Sequence, residues 1–272
     1  MMINDQGFRP ARRAGHCPKP VPGAALRVFV FHHAGGSHLP YREWPAHFPP
    51  DWEVHLLDAP GRGRLSDMPV CRSIEELVRF FKDEIVLAMD GRPFAFFGHS
   101  MGGLAAYELT NVLAAEGLPL PVWLGLSARG APRAGGEEVQ RHALPDDELR
   151  RHLVAMGGTP VEVIEDEELW QTFSGVIRGD LRLVETWQPR PGTGRLQVPL
   201  SVFGGTRDVV VPPERLGAWA EFADALSGPH LFDGGHFYFQ GRVAAVADRM
   251  TRDIREALRA ARTERDAETT RR

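Results

Sequence analysis

Short apolar runs alternate with longer segments of helical periodicity along most of the chain. The runs are rich in β-branched and aromatic residues and are bounded by turn residues; they cover residues 27–31, 54–57, 93–97, 122–126, 200–203 and 229–232. The clearest helix begins at a capping box, Ser73-x-x-Glu76, and continues with apolar residues at helical spacing to Met89. The alternation predicts the α/β class, with a largely parallel sheet and helices on both faces.

One long segment, residues 132–188, breaks this alternation because it contains helical patterns and no convincing strand. Its part between residues 169 and 187 holds more large apolar side chains than a helix with one buried stripe requires. We therefore interpret residues 132–188 as a helical insertion. Most of its apolar side chains are expected to pack the insertion onto the body of the protein. Trp170, Phe173 and Ile177 are candidates to line a substrate channel.

The composition is that of an ordinary globular protein with one domain. The 272 residues are 43% hydrophobic and 25% charged, which suffices for a sizeable core. Residues 25–260 are predicted to form this domain, with the insertion inside it. Residues 1–24 are predicted to be a disordered leader, and residues 261–272 a charged, disordered tail after the last helix.

Charge, cysteine content and hydropathy exclude several classes of protein. A net charge of −4 at pH 7 gives no electrostatic footprint for nucleic acid or for an anionic membrane. The two cysteines cannot form a disulfide framework. No segment has the apolar core of a signal peptide or the length of a membrane span, so we expect a cytoplasmic protein.

The most informative motif is GHSMGG at residues 98–103, which follows a predicted strand and precedes a helical stretch. Small neighbours let a serine on such a turn adopt a strained backbone conformation that exposes its hydroxyl. The pattern G-x-S-x-G occurs by chance in many proteins, but this context is that of the nucleophile elbow of the α/β-hydrolase fold. Ser100 is therefore the candidate nucleophile. The Met101 N–H, at a helix N-terminus, is a candidate oxyanion donor.

A serine nucleophile needs a base and a carboxylate that orients the base. In this fold they follow along the chain in the order serine, acid, histidine. Of the 11 histidines, His236 alone lies on a glycine-rich loop just after a late strand. Asp208 comes shortly after the preceding strand and is the candidate acid. Asp233 is a weaker rival, because it is too close in sequence to His236 to approach the imidazole from behind.

The loop after the first predicted strand, HHAGGS at residues 32–37, is the candidate for the second oxyanion donor. Its two glycines let the backbone approach a substrate carbonyl, so the Ala34 N–H would pair with that of Met101. His32 and His33 do not indicate a metal site, because adjacent residues at a strand end point to opposite sides and no further ligand is suitably spaced. No metal is expected.

With these motifs in place, the chain resembles a type II thioesterase, the free-standing editing enzyme of polyketide synthases and nonribosomal peptide synthetases. The resemblance extends over about residues 27–251 and is carried by HAGG (33–36), APGRGR (59–64), GHSMGG (98–103), LPDDEL (144–149), GGTP (157–160), DLRLVETW (180–187) and GGHFY (234–238). It implies an α/β-hydrolase fold, with a mostly parallel sheet flanked by helices and residues 132–188 as a helical lid.

The resemblance also implies hydrolysis of acyl groups from the phosphopantetheine thiol of an acyl or peptidyl carrier protein, which releases stalled or misprimed units. Ser100, His236 and Asp208 would form the triad and no cofactor would be needed. Because carrier proteins are generally acidic, a candidate docking patch consists of Arg129, Arg133, Arg141, Arg150 and Arg151; the alternative is that these arginines are ordinary solvated surface charges. Two alternatives stay open: a general carboxylesterase or lipase-like serine hydrolase, and a non-catalytic binding subunit with a hydrolase fold.

Overall fold

A computed structural model describes residues 14–132, 139–190, 192 and 194–271 of the chain, with side chains up to residue 263. The strands are, in chain order, β1 (Gly15–His16), β2 (Leu26–Phe31), β3 (Trp52–Leu57), β4 (Phe94–His99), β5 (Leu124–Ser127), β6 (Leu200–Gly205) and β7 (Leu226–Phe232). The helices are α1 (Ile74–Ala88), α2 (Met101–Ala115), α3 (Asp146–Met156), α4 (Val161–Glu165), α5 (Glu167–Thr186), α6 (Pro213–Leu216) and α7 (Val243–Arg271).

The described strands form one sheet in the order β1-β3-β2-β4-β5-β6-β7. Neighbours pair in parallel from β3 to β7, whereas β1 pairs antiparallel with β3 at one edge. Side chains of one strand alternate between the two faces. Phe29 and Phe31 of β2 pack in a cluster with α1 and α2, and Val28 and Val30 pack in a second cluster with α7. The predicted α/β fold, a mostly parallel sheet between helices, is confirmed.

The two ends of the chain differ from the prediction. Strand β1 lies inside the segment predicted to be a disordered leader, where it pairs with the end of β3. Residues 1–13 of that leader lie outside the described residues. Helix α7 continues to Arg271 instead of ending near Ala260. Residues 261–271 are rich in Ala, Arg and Glu, which have high helix propensity.

Between β5 and β6 the chain leaves the sheet and forms α3, α4 and α5. Within residues 132–188, the described positions contain no strand. These helices share a small core that includes Leu149, Leu153 and Trp170, and Ala34 in the loop after β2 packs against it. The insertion therefore lies over the carboxyl end of β2. None of the described helices is long and apolar enough to cross a membrane.

The turn between β4 and α2 holds Ser100 in a backbone conformation that few non-glycine residues adopt, with φ 55° and ψ −112°. The Ser100 N–H donates to the Ser127 carbonyl of β5 at 2.8 Å. A Cβ at Gly98 would lie 2.1 Å from the Gly102 carbonyl oxygen, and a Cβ at Gly102 would lie 2.2 Å from that of Phe31. Only glycine fits at either position, so these two residues let the turn form.

The substitution Gly102→Ala is expected to lower the free energy of unfolding by about 3 kcal/mol or more, because the new methyl group meets rigid backbone. Gly175→Ala is the matched control in a helix. A Cβ at Gly175, an exposed position of α5, meets nothing within 4 Å, so this substitution should raise the free energy of unfolding by up to about 1 kcal/mol. Urea denaturation measures both changes. Wild-type stability in Gly102→Ala would contradict the close backbone approach at the turn.

Candidate active site

One cavity of about 50 Å³ lies between the carboxyl ends of the strands and the insertion. Ser100 from the β4–α2 turn, His236 from the segment after β7 and Ala34 from the loop after β2 all line it. Loops at the carboxyl ends of parallel strands meet at one edge of a sheet. This common edge explains how residues more than one hundred positions apart in sequence come together.

The imidazole of His236 is held from one side by a buried carboxylate. His236 Nδ1 lies 2.8 Å from Asp208 Oδ2, and the two side chains are 1% and 0% exposed. Asp208 Oδ1 accepts the backbone N–H groups of Val210 and Val211 at 2.8 and 2.9 Å. The carboxylate thus favours the tautomer with the proton on Nδ1. His236 Nε2 is buried without a hydrogen-bond partner among the described residues, so it can accept a proton from a group in the cavity.

The rival carboxylate, Asp233, lies outside this arrangement. Its side chain is 57% exposed and forms ion pairs with Arg207 and Arg242 at the surface. Among the described residues, Asp208 is the carboxylate that contacts the His236 imidazole.

The two candidate oxyanion donors lie at the ends of β2 and β4. Met101 is the first residue of α2, so its N–H is one of the helix's initial amides that lack an intrahelical acceptor. The dipole of α2 adds positive potential at the same point. Ala34 lines the cavity that Ser100 also lines. The arrangement can stabilise negative charge on an oxygen bound near Ser100.

His32 and His33 are buried in the wall behind the cavity. His32 Nδ1 donates to the His33 carbonyl at 2.7 Å, and Nε2 accepts the Ala59 N–H at 3.1 Å. Only a neutral imidazole can make both bonds. Burial, assisted by Arg62, lowers the pKa of His32 to about 3, and burial beside other imidazoles lowers the pKa of His33 to about 3. These side chains therefore stay uncharged at neutral pH.

His99, directly before Ser100, belongs to a buried polar chain. Its Nδ1 lies 2.8 Å from Ser127 Oγ, which lies 2.6 Å from the hydroxyl of Tyr238. Burial, followed by the nearby His236 and His33, holds the pKa of His99 well below its usual value. His99 thus hydrogen-bonds to the end of β5 and is uncharged at neutral pH.

The structure places the three predicted channel residues in three different environments. Ile177 lines the cavity, but Trp170 is fully buried in the core of the insertion and Phe173 is 43% exposed. Further wall residues, which the sequence pattern did not predict, are Leu153, Met156, Leu181, Val184, Val210, Val211 and Phe237. Size alone was misleading, because the largest side chains stabilise the insertion itself. The helical spacing of Leu149, Leu153 and Met156 was a signal for a second inward face.

The predicted arginine patch is wrong for most of its members. Arg150 donates to the Ile164 carbonyl and to Glu167, and lies over the Trp170 ring. Arg141 binds Glu185, and Arg129 is buried. Arg133 lies outside the described residues. Of the four that the structure describes, Arg151 alone is exposed.

One group of potential metal ligands is found within the described part of the chain, and it lies away from Ser100. Cys17, Glu53 and His55 bring their ligand atoms within 4.8 Å of one another near the start of β3. Glu53 already accepts hydrogen bonds from Arg27 Nε and the Val21 N–H, both at 3.1 Å. The Arg27 guanidinium opposes a second cation at this carboxylate, so the group fits an ion-pair network.

Comparisons with known proteins agree on one family. The family model described as thioesterase domain matches residues 26–254. Gramicidin S biosynthesis protein GrsT from Aneurinibacillus migulanus is 30% identical over 236 residues, which cover 86% of this chain and 91% of that protein. The structure of BorB, a type II thioesterase from the borrelidin biosynthetic cluster, has a TM-score of 0.78 and 32% identity, covering 88% and 97% of the two chains. YbtT, a type II thioesterase from the yersiniabactin pathway, has a TM-score of 0.81 and 27% identity, covering 90% and 99%.

The neutral state of His32 predicts a specific loss of stability in acid. Below pH 6.5 the unfolded chain protonates this histidine, whereas the folded chain resists until about pH 3, so stability falls as the pH falls through that window. His32→Gln keeps an acceptor for the Ala59 N–H. Between pH 7.5 and 5.5, the free energy of unfolding of this variant should therefore fall by about 1.4 kcal/mol less than that of the wild type. Urea denaturation at both pH values measures this.

The control for this measurement is His47→Gln, which makes the same substitution at an exposed position. An unchanged pH dependence in His32→Gln would contradict a buried, neutral His32.

Proposed function

The chain belongs to the thioesterase family, and we propose that it is a stand-alone enzyme that hydrolyses acyl groups from the phosphopantetheine thiol of carrier proteins. By releasing stalled or misprimed units, it would edit polyketide or nonribosomal peptide assembly lines. The observation that carries the proposal is a cavity lined by Ser100 and by His236, whose Nδ1 lies 2.8 Å from a buried carboxylate, in a chain that matches thioesterases over residues 26–254. This geometry supports a triad of Ser100, His236 and Asp208.

In the first half of the proposed reaction, Ser100 Oγ attacks the thioester carbonyl carbon while His236 Nε2 takes the hydroxyl proton. Asp208 holds the Nδ1 proton and stabilises the imidazolium. The N–H groups of Ala34 and Met101 bind the oxyanion. The carbon–sulfur bond then breaks, and the imidazolium returns its proton to the departing pantetheine sulfur. A thiolate leaves readily, so this step needs less acid assistance than the departure of an amine.

In the second half, a water molecule attacks the acyl-serine and gives one proton to His236 Nε2. The bond to Ser100 Oγ breaks, Ser100 recovers its proton from His236, and the carboxylic acid is released. All groups in this scheme are protein side chains and backbone amides. The chain is therefore proposed to use no cofactor of its own, since the phosphopantetheine arm belongs to the carrier protein.

Relatives support a role in a biosynthetic assembly pathway. GrsT is named for gramicidin S biosynthesis, and BorB and YbtT are described as type II thioesterases of biosynthetic pathways. Another YbtT structure carries a serine-to-alanine substitution, which is consistent with a serine nucleophile in the family. The thioesterase match favours a thioester over the oxygen ester of a general carboxylesterase.

The insertion is proposed as the lid of this site. Leu153 and Met156 of α3, together with Ile177 and Leu181 of α5, supply one wall of the cavity. These side chains are apolar, which suits an acyl chain better than a charged group. The acyl part of the substrate is therefore proposed to lie between the lid and the strand ends.

The substitution Ser100→Ala should abolish hydrolysis of an acylated carrier protein, with a loss of about a million-fold in kcat, because no other hydroxyl replaces the nucleophile. The wild type should hydrolyse acyl-pantetheine much faster than the oxygen ester of the same acyl group. Release of the free thiol measures hydrolysis of the acylated carrier protein by Ser100→Ala. Release of the acid compares the rates of the wild type on acyl-pantetheine and on the oxygen ester.

Ser66→Ala, at an exposed position, is the control and should keep full activity. Thermal unfolding shows whether Ser100→Ala still folds. A folded Ser100→Ala protein with near-normal activity would exclude Ser100 as the nucleophile, and a preference for the oxygen ester would favour a carboxylesterase.

The substitution Asp208→Asn should lower kcat by about ten-thousand-fold, because asparagine favours the wrong tautomer of His236. Asp233→Asn changes a nearby carboxylate that is paired with surface arginines, so it should have little effect on kcat. Steady-state kinetics with one acyl-pantetheine compares the two variants. A larger loss in Asp233→Asn would mean that Asp208 is not the acid.

A further inference from the structure

Asp180, in α5, carries a buried carboxylate that the proposed triad does not use. The residue is 2% exposed, and its Oδ2 accepts the backbone N–H of Gly35 at 2.8 Å. Gly35 directly follows Ala34, whose N–H is the proposed oxyanion donor. The contact therefore joins the insertion to the backbone one residue away from the donor.

Arg62, in the loop after β3, binds the same carboxylate. Its Nη1 and Nη2 donate to the two oxygens of Asp180 at 2.5 and 2.8 Å, a bidentate geometry that fixes the direction of both groups. Nη1 also donates to the Gly36 carbonyl at 2.9 Å. Together, the two side chains hold the Gly35 amide on one side and the Gly36 carbonyl on the other.

The loop has little room to move against α5. A Cβ at Gly35 would lie 2.8 Å from Cγ1 of Ile177, one helical turn before Asp180. The Gly36 N–H donates to the His33 carbonyl at 3.0 Å, which closes a turn around Ala34. Because this turn is bound at both ends, the direction of the Ala34 N–H depends on where α5 lies.

We propose that Asp180 is a positioning residue that, with Arg62, couples the placement of α5 to the oxyanion hole, so that the hole is complete only while α5 lies on the Ala34 loop. This inference rests on the proposed function, because it takes the Ala34 N–H as an oxyanion donor. The Arg62 and Asp180 side chains are 8% and 3% exposed, so water does not substitute for the pair. A shift of about 1 Å in a catalytic group can cost about 100-fold in rate.

The test is Asp180→Asn, which keeps the size of the side chain but removes its charge and one acceptor oxygen. With acyl-pantetheine as substrate, kcat per titrated active site should fall by about 10- to 100-fold with little change in KM, as expected when a transition-state contact is misaligned. Counting active sites separates lost turnover from a lost fraction of folded protein.

A second readout does not require a thioester. A fluorophosphonate forms a tetrahedral adduct with an activated serine, and the oxygen of that adduct occupies the oxyanion hole. Its rate of reaction with Ser100 should fall in Asp180→Asn by a factor similar to that in kcat. If the wild type reacts with the reagent but hydrolyses no thioester, the proposed function fails while the labelling rates still test the role of Asp180.

Two further variants separate positioning from stability. Asp146→Asn is the matched control, because Asp146 pairs with Arg178 of α5 at 2.5 Å on the exposed side of the insertion. It should keep the wild-type kcat and labelling rate. The double variant Arg62→Met with Asp180→Leu removes both buried charges together, a change that folded proteins often tolerate. It should show the same loss as Asp180→Asn, since the Gly35 N–H has lost its carboxylate.

The double variant decides the question if Asp180→Asn does not fold. The proposal would be overturned if the folded variants had the same labelling rate and the same kcat as Asp146→Asn. A loss confined to KM would overturn it as well, because a displaced oxyanion donor acts on the transition state.

Discussion

The strained backbone at Ser100 sets the relative positions of the other groups in the site. A positive φ at this residue turns β4 directly into α2, and it requires the backbones of β4, α2 and β2 to approach more closely than any Cβ at Gly98 or Gly102 would allow. The same approach brings the loop after β2 next to the first amides of α2. The proposed nucleophile and the two proposed oxyanion donors therefore take their relative positions from one contact between strands and helix.

Burial of charge is the second constraint, and it shapes the polar groups around that contact. Asp208 is fully buried, yet it accepts two backbone amides and pairs with His236, so its negative charge is compensated. His33 and His99, close to His236, have lowered pKa values and stay neutral. A proton taken up by His236 during the proposed reaction would thus meet the Asp208 carboxylate without a competing histidine cation. The buried charges of Asp180 and Arg62 are compensated in the same way, because each forms an ion pair with the other.

How well the sequence predicts each feature depends on how local its cause is. The strands and the elbow follow from short patterns of apolar residues and glycine, and the proposed acid and base could be identified because each follows a strand on a recognisable loop. Most of the cavity wall could not be predicted, because whether Trp170 fills the insertion core or lines the channel depends on how α5 rotates against α3. The ion pairs of Arg150 and Asp180 could not be predicted either, because their partners come from other secondary-structure elements. Strand β1 is two residues long and owes its conformation to the edge of β3.

In the proposed mechanism, Ser100 carries the acyl group between the two halves of thioester hydrolysis. Rapid-quench mass spectrometry can detect this acyl-enzyme when the enzyme is mixed with an acylated carrier protein and digested at successive times. The acyl mass is expected on the peptide containing Ser100 within the first turnover, and it should then disappear at a rate at least equal to kcat. Hydrolysis that proceeds without acyl mass on that peptide at any time, or with the acyl group on another residue, would contradict this mechanism.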